Sequence, residues 1–141
     1  PFGRGELDSA KEVCNQGLAV DSTSEVFLFA KSTVLLNSGK YDECIAICDR
    51  LLAKNDTLTD AYLNAGLAYY DKAVELDKHM KASDKRKQQV LDYYKKAMPY
   101  LQKYRVLAPG EKDKWALPLY TIYLNLNMGK EFDEIDKLLK K

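Results

Sequence analysis

The sequence predicts an all-α chain, a superhelix of stacked antiparallel helical hairpins. Three observations carry that expectation. A glycine-led corner recurs at a fixed interval: Gly5-Glu6-Leu7-Asp8-Ser9-Ala10 reads like Gly39-Lys40-Tyr41-Asp42-Glu43-Cys44, 34 residues later. The segments that follow each corner carry apolar residues at helical spacing, and no segment has the clear alternation of a half-buried strand.

Each corner has the same physical parts. A glycine takes the left-handed conformation that ends one helix. A large apolar residue follows, and an acidic residue then sits in the first turn of the next helix, where the helix dipole favours it. After Gly5, the residues Leu7, Ala10, Val13, Cys14, Gly17 and Leu18 fall on one face and predict a helix over about 5–21. A hairpin is expected over about 24–55, its first helix supplied by Phe27, Leu28, Val34, Leu35 and Leu36. Its second carries Tyr41, Cys44, Ile45, Cys48, Leu51 and Leu52 on one face. Asp21-Ser22-Thr23-Ser24, Asn55-Asp56-Thr57 and Ala108-Pro109-Gly110 punctuate the helices.

The third hairpin, about 58–108, is longer. Placing Tyr62 and Ala97 in one repeat needs about 19 residues more than the interval allows. The extra segment keeps helical composition with one break near Ala82-Ser83-Asp84, so both helices are expected to lengthen by two or three turns. At 1.5 Å per residue each reaches about 35 Å against about 20 Å for a usual one, and the hairpin protrudes. A last hairpin is expected over about 112–141, with Trp115 near its start. Its corner is placed at Gly129-Lys130-Glu131-Phe132, with one extra residue. Pro99 and Pro118 fall inside expected helices, where each removes a backbone bond and imposes a kink unless it sits in a first turn.

Composition narrows the function. The chain has 141 residues, 46% of them apolar and 30% charged, enough for one domain with a real core. Lys and Arg number 22 against 21 Asp and Glu, a balance that gives no general attraction to nucleic acid or to an anionic membrane. The basic run around Lys78, Lys81, Lys85, Arg86 and Lys87 has no interleaved aromatic residue, so it reads as a solvated tip and not as an RNA surface. No apolar run approaches the roughly 20 residues that cross a bilayer. The chain begins Pro1-Phe2-Gly3-Arg4-Gly5, without Met, as expected of a fragment or processed form. Its compartment therefore stays open between cytoplasm and bacterial periplasm.

No chemistry-bearing constellation stands out. The three cysteines, Cys14, Cys44 and Cys48, include no CxxC pair, and Cys44 and Cys48 are expected to pack as small apolar groups. His79, the only histidine, has no second ligand at metal spacing. No phosphate-binding glycine motif occurs. A protein without turnover, cofactor or metal is the expectation.

The repeating parts resemble those of the tetratricopeptide repeat family, whose period is 34 residues. Tyr62, Ala65, Gly66 and Tyr69 fit that family's first-helix W, L, G and Y positions. Ala10 with Cys14, and Cys44 with Cys48, fit the second-helix A and F positions. Ala97, Leu101, Tyr104 and Pro109 follow the same second-helix pattern through its closing proline. The resemblance covers nearly the whole chain and implies a right-handed solenoid that binds a protein or peptide along the concave face of its first helices. It places Phe29, Thr33 and Leu36 on that face in the second repeat. Leu63, Leu67 and Tyr70 follow in the third, and Tyr120 and Tyr123 in the last. A subclass that holds carboxylate tails with Lys and Asn fits poorly, since only Asn64 is of the required type. The alternative expectation is self-association into a homo-oligomer, through the helix at 5–21 or the protruding hairpin.

Overall fold

The structure, a computed structural model, describes residues 25–81 and 85–140. The helix expected over 5–21, with Gly5, Ala10 and Cys14, and the break at Ala82-Ser83-Asp84 lie outside the described residues. Among those described the chain is all-helical, with six helices and no strand. They are α1 (Glu25–Asn37), α2 (Tyr41–Lys54), α3 (Thr59–Lys78), α4 (Lys87–Leu107), α5 (Lys112–Asn125) and α6 (Gly129–Leu139).

Each helix packs on the next, and in addition α1 packs on α3 and α3 on α5. The first helices of successive hairpins therefore lie side by side. Small residues permit this closeness. Ala61, Ala65 and Ala68 of α3 and Ala97 of α4 are essentially fully buried. Gly66 is the tightest point, because a Cβ there would lie 2.8 Å from Leu101 Cγ and 3.2 Å from Tyr100 Cβ. A side chain at Gly66 would push α3 and α4 apart.

Two apolar clusters form the core. One joins α3, α4, α5 and α6 around Ala97, Leu101, Tyr104, Leu119 and Ile122. The other joins α1, α2 and α3 around Leu35, Cys44, Cys48 and Ala65. Tyr69 touches both, and its ring stacks on Tyr100 at 5.9 Å between centroids. The Tyr100 hydroxyl then donates to Asp49 Oδ1 at 2.6 Å, tying α4 to α2. Cys44 and Cys48 are free thiols with no exposed surface, as their apolar neighbours foretold.

The long hairpin is present: α3 has 20 residues and α4 has 21, against 13 in α1 and 14 in α2. At 1.5 Å per residue the long helices reach about 30 Å, somewhat short of the expected 35 Å. Pro99 lies inside α4 on an exposed position, where water can serve the carbonyl it leaves unpartnered. Pro118 lies in the second turn of α5 and not in its first, and it is buried.

The last corner departs from expectation. Gly39 ends α1 at φ +79°, but the residue in the left-handed region after α5 is Asn127, at φ 57°. The backbone bonds agree: Lys40 N–H donates to Leu35 O at 2.9 Å, and Met128 N–H donates to Tyr123 O at 2.9 Å. Asn127 thus does the work of Gly39, since asparagine tolerates this conformation better than other side chains. Gly129 instead opens α6.

Candidate functional site

The corner at Asn127 sets which residues of α5 correspond to those of α1 and α3. Counting back from it, Leu117, Thr121 and Leu124 match Phe29, Thr33 and Leu36, and also Leu63, Leu67 and Tyr70. Burial follows the same register. Ala61, Ala65 and Ala68 of α3 are buried, and so are Trp115, Leu119 and Ile122 of α5. Trp115 therefore fills the slot of Ala61.

This displaces two expected site residues. Tyr123 is 3% exposed and belongs to the core, where its hydroxyl accepts from Gln102 Nε2 at 3.0 Å. Tyr120 is half-buried and turned to α6, its ring 4.7 Å from that of Phe132. In their place stand Leu117, 60% exposed, and Leu124, 53% exposed. The signal was in the sequence, but the glycine at 129 looked like the better corner.

The six remaining residues, Phe29, Thr33, Leu36, Leu63, Leu67 and Tyr70, are all half-buried. Two contacts fix how their helices face one another. Asn64 Nδ2 donates to Ser32 Oγ at 3.0 Å and to Thr33 Oγ1 at 3.1 Å, joining α3 to α1. Tyr70 Oη donates to Thr121 Oγ1 at 3.4 Å, joining α3 to α5. Asn64 stands three residues before Leu67, the counterpart of Thr33. Thr121 likewise stands three before Leu124, the counterpart of Tyr70. One inter-helix geometry is thus repeated. Asn64 is buried and committed to α1, so it is not offered to a ligand.

On a helix that turns about 100° per residue, the sector of α3 between Tyr70 and Asn64 is defined by position. It holds Leu63, Val74, Leu67, then Asp60 and Lys78 at one angle, and Asp71, in that order around the axis. Neither carboxylate has a hydrogen bond or ion pair among the described residues. Asp71 is half-buried, and that burial first, then the charge of Glu75 one turn on, raise its carboxyl to about 6 while Lys78 pulls the other way. At the equivalent positions α1 and α5 carry Asn37 and Asn125.

Beside this sector, Tyr41 of α2 donates its hydroxyl to Glu75 Oε1 at 2.8 Å. Burial and then that bond push the Tyr41 hydroxyl far up, so it remains a donor. Where the long hairpin overhangs α2, a cleft of about 500 Å³ opens between Tyr41, Leu76, His79 and Tyr93. Lys72 crosses it, paired with Asp42 and lying 4.5 Å above the Tyr93 ring. Sequence reasoning missed this cleft, which exists only because neighbouring helices stop short. Among the described residues no group of His, Cys, Asp or Glu is arranged to hold a metal ion, and no helix is long and apolar enough to cross a membrane.

Comparison of the chain with protein families, curated proteins and solved structures finds no match.

Proposed function

We propose that this chain is a tetratricopeptide-type solenoid that binds a protein or peptide segment along the face of α1, α3 and α5. The side-by-side packing of the first helices supports the solenoid, because hairpins joined in this way curve with those helices on one side. The observation that carries the reading is the alignment of three rows: Phe29, Leu63 and Leu117; Thr33, Leu67 and Thr121; Leu36, Tyr70 and Leu124. Most of these residues are apolar, and none is fully buried. A peptide lying across the helices would meet a new apolar anchor at each one, which is how extended and helical segments are held in grooves. Leu117 and Leu124 are large and exposed on one face of α5, two turns apart, an arrangement with no purpose in the core.

A library of random peptides displayed on phage and panned on the full chain tests this. The expected outcome is a set of peptides rich in apolar residues, whose capture is lost in a Leu67→Ala, Leu124→Ala variant of unchanged helicity. Capture indifferent to those changes places the site elsewhere. Self-association, the competing use of the same leucines, would show as a molecular mass that rises with concentration in light scattering.

A further inference from the structure

We infer that the segment bound on this face is basic as well as apolar, carrying a Lys or Arg that lies against Asp71 and Glu75; this rests on the groove reading above. The inference comes from the charges that border the groove. Asp71 lies in the sector of α3 between its contacts to α1 and α5, one turn from Glu75, about two turns from Leu63 and about three from Asp60. Glu75 uses one carboxylate oxygen to accept from Tyr41 and leaves the other free.

The cations nearby are mostly committed. Lys72 is held by Asp42 and by the Tyr93 ring. Lys114 pairs with Glu111 at 3.6 Å, and the field of Asp60 also reaches it. Lys87 pairs with Asp77 at 3.1 Å on the overhang. Lys78 remains, two turns beyond Asp71, and its field offsets part of the negative charge. The central helix of the groove therefore presents net negative charge at one edge, while α1 and α5 present asparagine at the same position. A cationic side chain there would gain an ion pair and would relieve the repulsion between the two carboxylates. An acidic segment would meet that repulsion a second time.

The same displayed library provides the test, panned in parallel on the parent chain and on an Asp71→Asn, Glu75→Gln variant. Both substitutions keep the hydrogen-bonding shape, and glutamine can still accept from Tyr41. Peptides selected on the parent are expected to combine apolar residues with Lys or Arg and to be poor in Asp and Glu. On the variant the apolar preference persists and the basic one disappears. A selected peptide made in solution should weaken about two- to fivefold for each charge removed, the range of a solvent-accessible pair, and the difference should shrink as salt is raised. Apolar selection without basic enrichment, or equal basic enrichment on both chains, overturns this inference and leaves the groove standing. If no peptide is selected, or selected peptides bind the Leu67→Ala, Leu124→Ala variant as well as the parent, the groove falls and this inference falls with it.

Discussion

Asp71→Asn should make the protein more stable at neutral pH, and the gain should vanish in acid. The folded chain holds the Asp71 carboxyl at about 6, against an ordinary 3.8. A group bound more tightly to its proton in the folded state gives a sign that can be stated in advance. Below the ordinary value, both folded and unfolded chains carry the neutral acid, and nothing is lost. As pH rises from about 4 to about 6 the unfolded chain ionises first, and stability falls. Above about 6 the folded chain carries a poorly hydrated anion beside Glu75. At 1.36 kcal/mol for each tenfold change in proton affinity, the ceiling on that cost is about 3 kcal/mol. Asp71 is only half-buried, so solvent screening reduces it to roughly 1 kcal/mol. For a chain of this size that is a rise of about 2–4 °C in Tm. The assay is thermal unfolding followed by circular dichroism, parent against variant, at pH 7.5 and pH 4. Carboxylates distant from Asp71 titrate alike in both chains, so the change in the difference reports Asp71 together with its coupling to Glu75. A variant that melts no higher than the parent at pH 7.5, or exceeds it equally at both pH values, refutes the argument.

Gly66→Ala should lose about 1–2 kcal/mol: overpacking against the buried Leu101 costs about 1–3 kcal/mol, and alanine's better helix propensity returns up to about 1 kcal/mol. Urea unfolding measures it, and the loss should shrink in a Leu101→Ala background where the clash is removed. Ala97→Arg should abolish cooperative unfolding or cost more than about 4 kcal/mol, because a charge would enter a fully buried contact. A variant melting like the parent would show the α3–α4 contact to be wrong.

Much of the fold was legible because its signals are local. Gly39 before Tyr41, the spacing of Cys44, Cys48 and Leu51, and the small residues Ala65, Gly66 and Ala97 each state a backbone or packing requirement that few other residues meet. The long hairpin was legible by arithmetic, from the distance between Tyr62 and Ala97. The register of α1 and α3 was legible, because the corner at Gly39 fixed it. That of α5 was not, because a helix can end on asparagine as well as on glycine. Tyr120 and Tyr123 stand one residue before Thr121 and Leu124, the positions that Asn127 sets, and one residue rotates a helix by about 100°. Asp71 was illegible for a different reason. A carboxylate on a helix face looks the same in sequence whether it is solvated or half-buried, and only the packing around α3 distinguishes the two.

That distinction bears on why an acid stands at this position. The fold does not require it, since the counterparts on α1 and α5 are the neutral amides Asn37 and Asn125, which meet the same backbone geometry. The cations nearby repay it only in part, because Lys72 is taken by Asp42 and Tyr93, and Lys78 acts from two turns away. On the proposed groove reading, a charge that weakens the folded chain acts instead on the segment bound there. Glu75 strengthens the point. It raises the proton affinity of Asp71 further, and Tyr41 holds it in place to do so. Under that proposal, two carboxylates one turn apart repel each other in the free protein and would turn that destabilisation into selectivity for a basic segment.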